Sequence, residues 1–188
     1  MSDKIRVGIV GSAGTGKSSV ARLLAERLSI PFLSAKSITG PILERDHFDF
    51  SSGIQIERFL GSEDRQREIL QNTIRQHQES VSFVTDRTSV DLTAYAICEQ
   101  NDINQEIVSE IHDKCQECSS IYTHLFVCPW IANRPLGNNS RRTLNPWYQF
   151  IIHSLAISVM GQWGLGWKVL TAEGAENRVD EIMDSLGM

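Results

Sequence analysis

The sequence lacks a hydrophobic run long enough to cross a membrane. Its most apolar stretch, residues 150–160, is interrupted by His153, Ser154 and Ser158, whereas a membrane-spanning helix needs about 20 apolar residues. Residues 1–6 contain no apolar signal segment either. We therefore expect a cytoplasmic protein that does not act at a membrane.

An excess of positive charge is also missing. The chain has 18 Lys and Arg residues against 23 Asp and Glu residues, a net charge of −5, which excludes a generally basic protein that coats nucleic acid. Its 188 residues are 41% hydrophobic and 22% charged. This composition excludes a disordered chain and suits a single domain, residues 1–188, with a core of its own.

Acidic residues are absent between Cys118 and Ala172. This stretch contains four basic residues and all four tryptophans: Arg134, Arg141, Arg142, Lys168, Trp130, Trp147, Trp163 and Trp167. The absence of acids indicates either a surface that faces a polyanion or strands and helices that are simply buried. For residues 129–148, which are rich in Pro and Asn, we favour the functional interpretation.

The chain has only four cysteines, and a single Cys-x-x-Cys pair, Cys115 and Cys118. His112 precedes this pair on what would be the same face of a helix. A zinc site needs a fourth ligand and usually a second pair. We therefore favour a surface or half-buried helix end and expect no zinc there.

Apolar periodicity predicts strands that alternate with helices. Strands are expected near residues 4–10, 30–33, 81–85, 121–127 and 167–170. Helices are expected near residues 17–28, 37–45, 62–79, 89–100, 104–118, 146–160 and 175–186. This alternation predicts a three-layer α/β fold with a parallel sheet of about five strands and helices on both faces.

A phosphate-binding motif follows the first predicted strand and opens the first predicted helix. Residues 11–18, Gly-Ser-Ala-Gly-Thr-Gly-Lys-Ser, fit the pattern G-x-x-x-x-G-K-[ST] of a P-loop. Glycines let backbone N–H groups converge on an anion, and the helix N-terminus adds its positive dipole. The motif predicts ATP binding by Gly11, Ser12, Ala13, Gly14, Thr15, Gly16, Lys17, Ser18 and Ser19. Lys17 would contact the β- and γ-phosphates, and the Ser18 hydroxyl would bind Mg²⁺; the alternative is a glycine-rich turn with no ligand.

A second group of polar residues follows the third predicted strand. Asp86 directly follows residues 81–85, and Arg87 comes next. If this strand neighbours the first, Asp86 would reach the same crevice as the P-loop. It could then hold Mg²⁺ through water or accept a proton from the acceptor, or it could merely cap the next helix. Arg87 could grip an anionic acceptor, while Asp91 and Tyr95 share one helix face and either position an acceptor or form a local hydrogen bond.

The P-loop, together with Thr85-Asp-Arg-Thr-Ser-Val-Asp-Leu-Thr-Ala-Tyr95, resembles the nucleoside and nucleotide kinases of the P-loop superfamily. The resemblance is strongest to the branch that includes nicotinamide-riboside kinase-like domains and phage-encoded deoxynucleotide kinases. It implies a P-loop fold, ATP and Mg²⁺ as cofactors, and a mobile basic lid near residues 129–148. Arg134, Arg141 and Arg142 lie where that family places its catalytic lid arginines.

The sequence departs from this family at the end of the second strand. Nucleoside kinases usually carry a carboxylate there, whereas residues 32–36 read Phe-Leu-Ser-Ala-Lys. Either Asp86 serves as the base or the acceptor already carries a phosphate, which tilts the prediction toward a nucleotide. Residues 36–79 would form the acceptor side, and three phenylalanines would be its stacking faces or part of the core: Phe48, Phe50 and Phe59.

Two other functions remain open. The acid-free, Trp-rich stretch would suit a kinase that acts on a hydroxymethylated pyrimidine base within DNA, because bases stack on aromatic side chains. Alternatively, the chain could be a regulatory ATPase with no acceptor. No Asn-Lys-x-Asp guanine-reading motif is found in the sequence, which argues against a GTPase. Homo-oligomerisation also stays open.

Overall fold

The computed structural model describes residues 4–47, 62–98, 104–131 and 145–188. Within these ranges it contains one five-stranded sheet and seven helices. All strand pairs in the sheet are parallel. The predicted three-layer α/β architecture is thus confirmed.

The sheet has the order β2-β3-β1-β4-β5, so the first strand lies at its centre. Its strands are β1 (Arg6–Val10), β2 (Phe32–Leu33), β3 (Phe83–Thr85), β4 (His124–Val127) and β5 (Lys168–Val169). Gly8 of β1 lies opposite Thr85 of β3. This register places Asp86, the next residue, at the same edge of the sheet as the P-loop.

Seven helices connect and cover the strands. They are α1 (Lys17–Leu28), α2 (Ala35–Arg45), α3 (Glu63–Glu79), α4 (Ser89–Cys98), α5 (Gln105–Ser119), α6 (Pro146–Gln162) and α7 (Ala175–Leu186). No helix within the described residues is long and apolar enough to span a membrane.

Two helical layers cover the two faces of the sheet. Because side chains alternate along a strand, Val7 and Ile9 of β1 pack against α1 and α7. Val10 packs on the opposite face, against α4 and α6. A further cluster joins α2, α3, α4 and α5 through Ile38, Leu70 and Ile111. The core therefore fixes the central strand, and with it the loop that β1 leads into.

The predicted elements are all present, but several boundaries differ. The second helix begins at Ala35 rather than Ser37, because the Ser34 hydroxyl accepts a hydrogen bond from the Ser37 amide at 3.0 Å and caps it. The fourth strand begins at His124 rather than Ile121. The lid prediction for residues 129–148 and the three phenylalanines Phe48, Phe50 and Phe59 lie mostly or wholly outside the described residues.

Candidate active site

The P-loop curls around the start of α1 with the backbone that its glycines allow. Gly14 and Gly16 have φ angles of +84° and +95°, a region that favours residues without a Cβ. Gly16 occupies the N-cap position of α1. The loop therefore lies at the positive end of the helix dipole, where an anion is stabilised.

Gly11 allows the loop to pass very close to the chain that follows β4. Its φ angle is +142°, and a Cβ at this position would lie 2.7 Å from the backbone oxygen of Cys128. Such a contact is impossible for a side chain without backbone movement. The first glycine of the motif thus serves packing as well as turn formation.

The Lys17 ammonium group bends back over the loop. Its Nζ donates a hydrogen bond to the carbonyl oxygen of Ser12 at 2.9 Å, and the Thr15 hydroxyl donates to the same oxygen at 2.9 Å. Lysine presents a compact charge on a flexible stem. It can therefore exchange this carbonyl for phosphate oxygens without moving the backbone.

A cavity of about 220 Å³ joins the P-loop to the residues after β3. Its lining combines the two groups that the sequence singles out: Ala13, Gly14, Gly16, Lys17, Ser18, Ser19, Ala35, Asp86, Arg87, Asp91 and Tyr95. The structure thus brings most of the described candidate residues together around one cavity. Gly11, Ser12 and Thr15 belong to the loop itself but not to this lining.

The Asp86 carboxylate lies beside the residues that follow β2. It is 6% exposed, and its Oδ1 accepts a hydrogen bond from the Ala35 amide at 2.7 Å. Among the described residues, its Oδ2 has no hydrogen-bond partner. Asp86 therefore brings a carboxylate to the end of β2, where this chain has no acid of its own.

Arg87 lines the cavity beside Tyr95. Its guanidinium carbon lies 5.7 Å from the centre of the Tyr95 ring, a cation–π contact. Its Nε is buried and has no hydrogen-bond partner among the described residues. The buried Nε itself is out of reach of a ligand, but Arg87 lines the cavity, and its charged guanidinium suits an anionic ligand there.

Asp91 binds the P-loop, a role that the sequence interpretation missed. Its Oδ2 accepts from the Thr88 amide and hydroxyl at 3.1 and 2.7 Å, and Thr88 in return accepts from the Asp91 amide. This reciprocal pattern is a capping box at the start of α4. Its Oδ1 accepts from the Gly11 amide at 3.2 Å. The local hydrogen bond is thus present, and the Thr-x-x-Asp spacing was its available signal. Asp91 also lines the cavity, and its contact with an acceptor stays a prediction.

Burial raises the pKa of the Asp91 carboxyl, although the Lys17 charge and the bonds from Thr88 and Gly11 oppose that rise. The side chain is only 1% exposed. Asp91 thus contributes a buried, fully engaged carboxyl beneath the phosphate-binding loop.

Arg178 is a second residue that sequence reasoning missed. It lies on α7, is 4% exposed, and donates from Nη1 to the Thr15 carbonyl at 2.8 Å and from Nε to the Ala172 carbonyl at 2.9 Å. Backbone carbonyls as partners leave no pattern in a sequence. A buried arginine on the face of an amphipathic helix is the only trace that could have pointed to it.

A family model described as an AAA domain matches residues 6–178. This match includes the P-loop, Asp86, Arg87 and Arg178. The chain belongs to this AAA domain family. No curated protein matches the chain significantly.

Solved structures share the fold of this AAA domain at low sequence identity. The NadR protein in complex with NR is 15% identical, with a TM-score of 0.70 over 98% of this chain and 51% of NadR. The chain thus spans about half the length of NadR. Deoxyadenosine kinase from M. mycoides, with products dCMP and a flexible dCDP bound, is 14% identical, with a TM-score of 0.69 over 97% and 98% of the two chains. Thymidylate kinase from Ehrlichia chaffeensis is 14% identical, with a TM-score of 0.58 over 98% and 99%.

These likenesses establish that the AAA domain has the fold of the P-loop nucleoside and nucleotide kinases. The fold that the resemblance seen in the sequence implies is thus confirmed. The three predicted lid arginines, Arg134, Arg141 and Arg142, lie outside the described residues, and their roles stay predictions.

The Cys-x-x-Cys pair of the AAA domain lies at the end of α5, as predicted, but it is buried in the core rather than half-buried or at the surface. Cys115 is 0% exposed and Cys118 is 8% exposed, and burial raises the pKa of the Cys115 thiol to about 12. His112 accepts a hydrogen bond from the Trp163 indole at 3.2 Å. The described part of the chain contains no cluster of His, Cys, Asp and Glu that could hold a metal ion.

Proposed function

We propose that the protein transfers the γ-phosphoryl group of ATP to a nucleotide-type acceptor, a deoxynucleotide or nucleoside. The observation that carries this proposal is the single cavity in which Lys17 and Ser18 of the P-loop face Asp86 and Arg87. Phosphoryl transfer requires mainly positioning of the reactants and neutralisation of charge. A cavity that holds both a donor site and an acceptor site can position the two reactants and neutralise their charge.

The P-loop forms the donor side in this proposal. Amides of residues 12–19 would surround the phosphate groups, and Lys17 would leave the Ser12 carbonyl to contact the β- and γ-phosphates. Lys17 would then balance charge on the phosphoryl group as it moves.

Ser18 and Asp86 fit a magnesium ion. Both line the cavity, hydroxyl and carboxylate oxygens are ligands that Mg²⁺ prefers, and Asp86 Oδ2 has no other partner among the described residues. We propose that Ser18 binds the ion directly and Asp86 through water. The ion would supply charge neutralisation for the phosphates.

Arg87 forms the acceptor side, together with Tyr95 and with α2 and α3. Arg87 lines the cavity, and its planar guanidinium suits an anionic oxygen of the acceptor. The absence of an acid in residues 32–36 supports an acceptor that already carries a phosphate, because such an acceptor needs no strong base. The motif's similarity to phage-type deoxynucleotide kinases favours a deoxynucleoside monophosphate.

The proposed site also includes the lid arginines, whose assignment rests on the sequence alone. Arg134, Arg141 and Arg142 would stabilise charge on the transferred group, and lid closure would exclude water. We expect Arg142→Ala to slow transfer while the affinity for ATP stays unchanged. An equal loss of ATP affinity would contradict the assignment.

Labelled ATP tests this proposal directly. The protein is incubated with [γ-³²P]ATP, Mg²⁺ and, separately, nucleosides, nucleoside monophosphates, nicotinamide riboside and DNA that contains hydroxymethylated pyrimidines. We expect the label to move to a deoxynucleoside monophosphate or a nucleoside. Release of labelled phosphate alone, with no acceptor labelled, would favour the regulatory ATPase and overturn the proposal.

A second candidate, a kinase for a modified base within DNA, is favoured by one surface. Trp130, Trp147 and Phe150 contact one another, with ring centroids 5.0 to 6.4 Å apart, and Trp147 is 67% exposed. Single-stranded nucleic acid stacks its bases on such rings. If this candidate is correct, the labelled product is the oligonucleotide, and its binding weakens steeply as salt is raised.

A further inference from the structure

On the outward side of the P-loop, the backbone carbonyl groups need hydrogen-bond donors. When backbone N–H groups point toward a bound phosphate, the carbonyl groups of the same peptides point away from it. These oxygens need donors of their own in the interior. In this protein, one of them, the carbonyl of Thr15, accepts from Arg178 at 2.8 Å.

Arg178 is buried without an acidic partner. It is 4% exposed, and no carboxylate within the described residues lies within ion-pair distance of its guanidinium. Both of its hydrogen bonds go to backbone carbonyls, those of Thr15 and Ala172. A buried charge is expensive unless it is well satisfied, so its placement against these carbonyl dipoles points to a defined task.

The Ala172 contact extends this arrangement to the loop after β5. Glu181, one turn further along α7, accepts from the amides of Thr171 and Ala172 at 2.9 and 3.0 Å. Helix α7 thus forms hydrogen bonds with both the amide groups and a carbonyl group of this short loop. Through Arg178, the same helix reaches across to the P-loop.

The opposite side of the P-loop is held by Asp91 of α4, which accepts from the Gly11 amide. The two anchors come from opposite layers of the fold, since α4 and α7 cover different faces of the sheet. Together they fix the beginning and the end of the loop.

We propose that Arg178 is a positioning residue of the nucleotide site, which keeps the P-loop in its anion-binding shape by holding the Thr15 carbonyl against the loop after β5. It touches neither phosphate nor acceptor, and it acts through the P-loop backbone. A loop arranged before the ligand arrives loses less conformational freedom on binding. This inference rests on the P-loop being the nucleotide site, as the proposed function assumes, but not on the identity of the acceptor.

Two variants of Arg178 and one matched control test the proposal. Arg178→Met keeps an unbranched apolar stem but removes the guanidinium and both hydrogen bonds, and Arg178→Lys keeps the charge and can satisfy one carbonyl. The control is Arg27→Met, because Arg27 also binds α7, through Glu176 and Asp180, without contact to the P-loop. For each variant we would measure thermal unfolding, binding of Mg²⁺ with the non-hydrolysable analogue AMP-PNP by calorimetry, and hydrogen exchange of residues 11–19 without nucleotide.

We expect Arg178→Met to raise the dissociation constant of AMP-PNP at least about tenfold and to speed exchange of residues 11–19. Arg178→Lys should lie between Arg178→Met and the wild type. Arg27→Met should leave the dissociation constant within about twofold of the wild-type value. Such a split would separate loop positioning from a general loss of stability.

Wild-type affinity and exchange in a folded Arg178→Met protein would overturn the proposal, and so would an equal effect of Arg27→Met. If Arg178→Met does not fold, Arg178→Lys decides: weaker binding with faster exchange supports the proposal, and wild-type values contradict it. If the wild type binds AMP-PNP but labels no acceptor, the proposed function fails while this inference stands. If the wild type does not bind AMP-PNP, the P-loop is not a nucleotide site, and both the proposed function and this inference are overturned.

Discussion

Single residues of the site divide into those that the motif predicts and those that only the fold brings in. Lys17, Ser18, Asp86 and Arg87 could be selected from the sequence, because motif position and strand ends define them. Arg178 could not, because it is 163 residues from its partner Thr15 and that partner is a backbone carbonyl. Residues that hold a site together through the backbone leave little sequence signal.

Lys17 supplies the charge of the donor side. We expect Lys17→Ala to lower kcat/KM for phosphoryl transfer at least about 100-fold, because no other described side chain in the P-loop can place a cation on the phosphates. Steady-state kinetics with labelled ATP measures this change. Lys4→Ala, an exposed residue before β1, is the control and should retain full activity; a Lys17→Ala enzyme with near wild-type kcat/KM would refute the assignment.

A variant of Arg87 tests whether this residue binds the acceptor rather than ATP. Arg87→Met should raise the KM for the acceptor at least about tenfold through the loss of a charge-assisted hydrogen bond, while the KM for ATP changes little. The comparison variant is Arg22→Met, at an exposed position of α1. A rise confined to the KM for ATP would place Arg87 on the donor side instead.

At the scale of elements, the unit β1–P-loop–α1 was the most predictable part of the chain. Its strand residues after Arg6 are uncharged and mostly apolar, its glycines mark the turn, and α1 has the expected amphipathic spacing, with Leu24 inward and Arg22 outward. The ends of β4 and β5 were less predictable. β5 has only two residues, both exposed, so its pairing with β4 rather than its own composition defines it.

The close approach at Gly11 gives a prediction about this unit. Gly11→Ala should destabilise the protein by at least about 2 kcal/mol, because a Cβ would lie 2.7 Å from the Cys128 carbonyl at a φ of +142°. Gly40→Ala, within α2 and with no atom beyond its chain neighbours within 4 Å of the added Cβ, should change stability by less than about 1 kcal/mol, because the helical preference of alanine is opposed by the ring of Pro41, which follows it in α2. Urea unfolding of both variants measures the difference, and equal free energies of unfolding would contradict it.

At the scale of the whole molecule, the order of the strands creates the site. The sequence predicts which segments are strands, and parallel α/β folds bind ligands at the carboxyl ends of their strands. It does not reveal that β3 lies directly beside β1, with Gly8 opposite Thr85. That adjacency follows from long-range packing of α1, α4 and α6 on the two faces, which no local pattern encodes.

His77 gives the global stability a pH dependence. It is 0% exposed and stacks on Phe83, and burial, together with the charge of Arg6, lowers its pKa from 6.5 to about 4. Because the unfolded chain takes up a proton at higher pH than the folded one, stability is lost as the pH falls from 6.5 toward 4. The loss from this residue is roughly 3 kcal/mol.

Denaturant unfolding across this pH range tests that expectation. His77→Gln should flatten the decline of the free energy of unfolding between pH 6.5 and 4, even if it lowers stability at neutral pH. His124→Gln, at an exposed position, should leave the decline unchanged. An unaltered slope in His77→Gln would show that other groups cause the acid sensitivity.

The central claim is that one cavity holds both ATP and a nucleotide-type acceptor. The most direct measurement follows the γ-label of ATP and records how it divides between the acceptor and water. The account predicts that the label moves to the acceptor and that release of phosphate without acceptor is at least about 100-fold slower than transfer. Phosphate release at one rate, whether or not any acceptor of the panel is present, would contradict it.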